Sequence, residues 1–75
     1  MLVGDIIYND HFDCNCNYAV YDCSEKGAVH DDGGKLVSST LRDGYRKPLD
    51  AILDLEVRYL TINNNVLIIE GEKKS

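Results

Sequence analysis

The C-terminal third of the chain carries the clearest pattern of apolar and polar positions. Residues 55–62 (LEVRYLTI) and 66–70 (VLIIE) are two apolar runs rich in β-branched residues, and three asparagines separate them. Asparagine is second only to glycine in tolerating left-handed backbone, so residues 63–65 are typical of a tight turn. Residues 66–69 of the second run are apolar on both faces, which indicates an interior strand or one covered on both sides. The pattern therefore predicts a C-terminal β-hairpin.

Weaker patterns predict three further elements in the first half of the chain. In residues 2–8 (LVGDIIY) the apolar side chains follow helical spacing, which favours a short helix over an edge strand. Residues 18–23 (YAVYDC) have the composition of a strand, and residues 35–41 (KLVSSTL) predict a second strand antiparallel to it. Between them, residues 24–34 hold three glycines and predict a turn or open loop.

Pro48 indicates a change from strand to helix. Proline suits the first turn of a helix, and Leu49, Ile52 and Leu53 follow it at spacings that form one apolar stripe. We therefore predict one α+β domain over residues 1–75 in the order α-β-β-α-β-β. Its sheet is mostly antiparallel, it has one or two short helices, and residues 71–75 form a flexible tail.

Charge is distributed unevenly along the chain. Of the 75 residues, 1–32 include seven acids and one base, whereas 33–75 include six acids and seven bases, which gives the net charge of −5. An acidic half repels phosphate backbones, so we expect no direct binding of nucleic acid there. The same charge suits a basic protein partner. The alternative is that these acids are solvated loop residues that keep a small protein soluble.

The apolar runs are too short for a membrane segment, which needs about 18 residues. Residues 1–5 (MLVGD) lack the basic region and cleavage site of a signal peptide. We therefore expect a cytoplasmic protein without membrane contact. A chain of this length also has little room for an enclosed pocket.

Three cysteines and a histidine lie within 13 residues of one another. His11, Cys14, Cys16 and Cys23 are the ligand types of a closed zinc site, but their spacing departs from the usual pairs of cysteines. The alternative is a set of unpaired thiols, with Cys23 packed as a small apolar residue. Zinc stays open as an alternative, and we predict no other cofactor.

The sequence contains no complete catalytic set. His30 adjoins Asp31 and Asp32, but neighbouring residues on an extended chain point apart, and no nucleophile in a recognisable motif accompanies them. We therefore expect a protein that is not an enzyme. The candidate contact surface for a partner combines acids of the first half with a tyrosine, because tyrosine is enriched at interfaces. Its residues are Asp10, Asp13, Tyr18, Glu25, Asp31 and Asp32.

Several short segments resemble small acidic proteins encoded in phages and mobile elements of gut Firmicutes. The segments are residues 3–7 (VGDII), 18–22 (YAVYD), Pro48 with 52–57 (ILDLEV), and 66–70 (VLIIE). The resemblance implies an accessory protein that acts by binding host or phage machinery, and it assigns no catalytic residue.

Taken together, charge and resemblance lead to one functional hypothesis with two alternatives. The hypothesis is a non-enzymatic protein-binding module, in its sharper form a phage-type inhibitor that contacts a basic, nucleic-acid-binding surface of a host enzyme. The first alternative is a small zinc-stabilised structural module. The second is a homo-oligomeric accessory protein joined through sheet edges, for which residues 36–41 are a candidate because they carry few charges.

Overall fold

A computed structural model of the chain describes residues 1–9 and 16–73, and it confirms an α+β domain. Within these ranges, three single-turn helices accompany four strands. In chain order the elements are α1 (Gly4–Ile7), β1 (Asn17–Asp22), β2 (Lys35–Ser39), α2 (Thr40–Asp43), α3 (Asp50–Leu53), β3 (Glu56–Asn63) and β4 (Val66–Glu72). None of the helices in these ranges has the length and apolar character needed to cross a membrane.

The four strands form one mixed sheet in the order β2-β1-β4-β3. The β1–β2 and β3–β4 pairs are antiparallel, as predicted, whereas β1 runs parallel to β4 from Asn17 opposite Val66 to Asp22 opposite Gly71. The prediction that the apolar run 66–70 forms an interior strand is confirmed, because β4 lies between β1 and β3.

The predicted C-terminal hairpin is confirmed, and its turn has the expected backbone. Asn64 and Asn65 join β3 to β4 with φ angles of 54° and 63°. Positive φ at both central residues is the geometry of a type I′ turn, whose twist matches that of the flanking strands. The turn therefore fixes the register that runs from Asn63 opposite Val66 along the hairpin.

The apolar core lies on one face of the sheet, beneath α1 and α3. It consists of the buried residues Val3, Ile6, Tyr18, Val20, Leu55 and Ile69, with Ile7, Val37, Ile52, Val57 and Leu67 packed around them. β4 also approaches Leu55 closely, since a Cβ added to Gly71 would lie 2.9 Å from the Leu55 Cβ. Glycine at this position therefore allows the segment before β3 to pack against the sheet.

The prediction of a strand over residues 35–41 is wrong at its end, because β2 stops at Ser39 and α2 follows. Two side chains favour the change of direction. The Asp43 carboxylate accepts the backbone N–H of Ser39 at 3.2 Å, and the Thr40 hydroxyl oxygen accepts the N–H of Tyr18 at 3.1 Å. These bonds satisfy backbone groups that a longer ladder would otherwise have paired.

The predicted helix after Pro48 is shorter than expected and begins later. α3 has one turn, and Leu49 precedes it in extended conformation with its side chain 74% exposed. The proposed apolar stripe is therefore wrong at Leu49, although Ile52 and Leu53 do pack inward. Because Leu49 precedes the helix in extended backbone, its side chain does not share the inward face that carries Ile52 and Leu53.

The predicted tail over residues 71–75 is wrong for its first two residues. Gly71 and Glu72 belong to β4, and Gly71 is buried. Parallel pairing with β1 extends as far as Asp22, so β4 continues to the end of that strand. Lys73 follows, and its backbone N–H donates to the Ser24 hydroxyl at 2.9 Å. Residues 74–75 lie outside the described part of the chain.

Candidate functional site

The segment that joins β1 to β2 (residues 23–34, here called the connecting loop) folds over the sheet face opposite the apolar core. Side chains alternate along strands, so Tyr21, Tyr59 and Glu70, which are register partners, share that opposite face. His30 of the connecting loop lies against them. Its ring centroid is 5.9 Å from that of Tyr21 and 6.2 Å from that of Tyr59, with the latter ring nearly parallel at 11°.

Glu70 is the buried charge on which this arrangement depends, and only 3% of its surface is exposed. The backbone N–H of His30 donates to its Oε2 at 3.0 Å, and His30 Nδ1 lies 2.7 Å from the same atom. Because an ionised carboxylate only accepts hydrogen bonds, Nδ1 carries the hydrogen of this contact. Burial acts to raise the pKa of Glu70, but the hydrogen bonds from His30 and Arg58 outweigh it and lower the pKa.

Arg58 ties the connecting loop to the sheet at two further points. Its guanidinium donates to the carbonyl of Cys23 at 3.0 Å and to the carbonyl of Ala28. Its Nε donates to Oε1 of Glu70 at 3.4 Å, so the charge of the buried carboxylate is balanced locally. The result is a polar network that fixes the start and the middle of the loop.

The tip of the connecting loop is a tight turn over Val29–Asp32, here called the acidic turn. The N–H of Val29 donates to the carbonyl of Asp32 at 2.9 Å, and the N–H of Asp32 returns a bond to the carbonyl of Val29 at 3.1 Å. The N–H of Gly34 bonds the same Val29 carbonyl at 2.9 Å. A Cβ at Gly34 would lie 2.6 Å from that oxygen, which explains the glycine. Asp31 and Asp32 are exposed on this turn.

A shallow cavity of about 250 Å³ opens beside the acidic turn. It is lined by Val29, His30, Asp31, Tyr59 and Glu70. The cavity therefore offers an aromatic ring, an imidazole and two carboxylates. An aromatic face beside an exposed carboxylate is suited to receive a cation such as an arginine or lysine side chain.

The structure separates the predicted contact residues. Asp31 and Asp32 lie together on the acidic turn, and Glu25 is exposed in the same loop. Glu25 also lines a small depression together with Asp22, Lys35 and Lys73. The prediction of Tyr18 as a contact residue is wrong, because its side chain is part of the apolar core and only 6% is exposed. Asp10 and Asp13 lie outside the described residues.

The prediction of a four-ligand zinc site is wrong, because β1 separates two of the proposed ligands. Cys16 precedes this six-residue strand and Cys23 follows it. At about 3.3 Å per residue the two are roughly 20 Å apart, too far to share one ion or to form a disulfide. Burial, followed by the charge of Glu70, raises the pKa of Cys23 and disfavours its thiolate. His11 and Cys14 lie outside the described residues. Among the described residues, no group of three or more histidine, cysteine, aspartate or glutamate side chains could hold a metal ion.

Sequence reasoning missed the residue that holds His30. It weighed Asp31 and Asp32 as partners of the imidazole and set them aside, but it did not find the actual partner, Glu70, 40 positions along the chain. One signal was present in the sequence. Residues 66–70 predicted an interior strand, and a carboxylate at the end of such a strand needs a charged or hydrogen-bonding partner when it is buried.

A second depression, of about 380 Å³, lies at the opposite end of β2 and is basic. Its charged lining comprises Arg42, Asp43, Arg46 and Lys47. Two of the three cations have partners within the chain. Arg42 bonds both carboxylate oxygens of Asp43 at 2.8 Å, and Lys47 lies 5.0 Å above the ring of Tyr8. We therefore take the acidic turn as the candidate functional site.

Comparison with protein-family profiles, with curated proteins and with solved structures gives no match for this chain. The similarity to phage and mobile-element proteins stays a prediction.

Proposed function

We propose that the chain is a non-enzymatic protein-binding module whose acidic turn contacts a basic surface on a partner. The observation that carries this proposal is the way Glu70 holds the turn. Both the backbone N–H and the imidazole of His30 donate to one buried carboxylate, so Asp31 and Asp32 project from a fixed support. A contact held in place before binding loses less conformational entropy when the partner arrives.

The chemistry of the partner follows from the surroundings of the turn. Asp31 and Asp32 supply negative charge, and Tyr59, which is 50% exposed, supplies an aromatic face next to them. An arginine or lysine of the partner can pair with a carboxylate and cover the ring, a contact worth about 0.5–1 kcal/mol at an exposed site. Because the carboxylates are exposed, the interaction weakens as salt is added.

The experiment that tests this contact is an NMR titration of the ¹⁵N-labelled protein with an arginine-rich peptide. We expect the largest amide shifts at His30, Asp31, Asp32 and Tyr59. The charge reversal Asp31→Lys with Asp32→Lys should abolish these shifts and leave the fold intact, because both side chains are exposed and the turn is held by Glu70.

A matched control carries the same charge change elsewhere. Asp50 and Asp54 are exposed on and after α3, and the reversal Asp50→Lys with Asp54→Lys alters net charge by the same amount. This variant should keep the shifts at the acidic turn. Equal loss of binding in both variants would show that only net charge matters, and unchanged affinity after reversal of Asp31 and Asp32 would refute the proposal.

The narrower proposal is that the basic surface is a nucleic-acid-binding groove of a host enzyme. It is supported by the acidic charge of the turn and by the resemblance to phage and mobile-element proteins. Its test is competition, in which the protein displaces labelled DNA or RNA from the enzyme it captures. Simultaneous binding of protein and nucleic acid would refute this narrower form and leave the broader one standing.

A further inference from the structure

The two edges of the sheet differ in how they are protected against pairing with another chain. At the β2 edge, Arg42 reaches back from α2, and its guanidinium donates to the carbonyls of Leu36 and Val37 at 3.4 and 3.2 Å. A charged side chain laid along a strand edge is a common protection against pairing with another chain. The segment 36–41, which the sequence suggested as an association edge, therefore carries its own protection.

Among residues 1–9 and 16–73, the β3 edge is covered only at its start. The N–H of Val57 donates to the carbonyl of Met1 at 2.8 Å, and Leu2 forms a bridge with Glu56. Beyond this point β3 pairs with β4 on its inner side, and no residue of 1–9 or 16–73 forms a backbone bond with the outer side of residues 58–63. These six residues, here called the free edge, present unpaired backbone groups.

The free edge also lacks charge protection. Its one charged residue, Arg58, is turned inward, where it bonds the carbonyls of Cys23 and Ala28 and the carboxylate of Glu70. The other side chains are uncharged, and three large hydrophobic residues are exposed: Tyr59 at 50%, Leu60 at 40% and Ile62 at 71%. An open edge with exposed apolar side chains is the arrangement that promotes pairing between chains.

We propose that the free edge pairs antiparallel with the same edge of a second copy, in a register centred on Thr61. The ladder between β3 and β4 is regular from Tyr59 to Asn63 and shifts before Tyr59, so Thr61 is the midpoint of the regular segment. A two-fold axis perpendicular to the sheet would join the two copies into one continuous sheet with their core-side faces on the same side. Each residue of one β3 then lies opposite a residue of the other β3 whose number differs from its own by zero or by an even number.

This register is self-complementary. Leu60 faces Ile62 of the partner subunit, and the two-fold axis repeats the contact, so two apolar cross-strand pairs form on one face. In this register Arg58 lies outside the paired segment. A register centred on residue 58 would instead place the Arg58 residues of the two copies directly opposite each other. The second copy thus supplies what the edge lacks, a strand of equal length with matching apolar side chains and no like-charge contact.

Size-exclusion chromatography with light scattering tests the proposal on the full chain. We expect a concentration-dependent species of twice the monomer mass. Ile62→Lys should abolish it, because a lysine would then replace the isoleucine in each of the two apolar pairs. Leu41→Lys is the matched control, since Leu41 is 70% exposed on α2 and should leave the dimer unchanged. A wild-type protein that stays monomeric at high concentration, or a dimer that persists after Ile62→Lys, would overturn the proposal.

The register has its own test. Thr61→Cys, in a chain where Cys14 and Cys16 are replaced by serine, should form an intermolecular disulfide under mild oxidation, because directly opposite residues are within bridging distance. Leu41→Cys in the same background should not. A dimer that forms without this cross-link would show that another surface carries it. These substitutions leave Asp31, Asp32 and Tyr59 unchanged, so a failure to dimerise does not count against the proposed partner contact.

Discussion

Glu70 is the residue on which the candidate site depends. Removing a carboxylate from water costs several kcal/mol unless charges and hydrogen bonds compensate for it, and here His30 and Arg58 do so. The same bonds hold the connecting loop against the sheet. A single buried side chain therefore links the stability of β4 to the position of Asp31 and Asp32.

Replacing Glu70 with glutamine should lower the free energy of unfolding by about 1–3 kcal/mol, because Arg58 and His30 lose their charged acceptor while the shape of the side chain is kept. Urea denaturation measures this change. Glu72→Gln is the control on the same strand, since Glu72 lies 3.9 Å from Arg58 but its side chain is 46% exposed, and it should change stability by less than about 0.5 kcal/mol. Equal effects of the two substitutions would contradict the role assigned to Glu70.

The pH dependence of stability gives a separate prediction. Glu70 has a lowered pKa in the folded protein, so its stabilisation is fully present above the ordinary glutamate pKa of about 4.3 and is lost as the pH falls through the folded value. The difference in unfolding free energy between the wild type and Glu70→Gln should therefore shrink only in acid below that range. A difference that already declines above about pH 4.3 would mean that burial dominates and raises the pKa.

At the scale of single residues, the sequence identified the exposed acids but not their support. Asp31 and Asp32 were recognisable because glycines on both sides predicted a loop. The contact between His30 and Glu70 joins residues 40 positions apart, and only the parallel pairing of β1 with β4 brings them together. Tyr18 was misjudged for a similar reason, since nothing local shows which face of β1 is covered.

Among the elements, the hairpin was the most predictable because its signal is local. Asn64 and Asn65 adopt the left-handed backbone that their side chains tolerate, and β3 and β4 follow directly on either side. By contrast, α2 and α3 have one turn each and depend on tertiary contacts, as when Asp43 accepts the N–H of Ser39. Their boundaries could not be predicted from periodicity alone.

Substitution of Asn65 by valine should destabilise the hairpin by about 1–2 kcal/mol, because a β-branched residue is strained at positive φ. Asn65→Gly should be tolerated, since glycine adopts this backbone freely. Asn63→Val is the control in the same turn region, because Asn63 lies in β3 without positive φ. Thermal unfolding followed by circular dichroism compares the three. A destabilisation of similar size at positions 63 and 65 would contradict the turn geometry.

At the scale of the whole molecule, the order of the strands in the sheet could not be predicted from the sequence pattern. The two antiparallel pairs join neighbouring strands and were predicted, whereas the parallel pairing of β1 and β4 brings the two halves of the chain together. That pairing places the connecting loop over the end of β4. It also leaves β3 at one edge of the sheet, so the free edge shares Tyr59 with the cavity beside the acidic turn, whereas Leu60 and Ile62 lie outside that cavity.

The central claim is that the acidic turn binds a basic partner. The most direct measurement is affinity capture from a cell lysate with three baits in parallel: the wild type, Asp31→Lys with Asp32→Lys, and Asp50→Lys with Asp54→Lys. We predict one partner with a basic surface that is captured by the wild type and the second variant, lost from the first, and released as salt is raised. Capture of the same partner by all three baits, with no dependence on salt, would contradict the claim.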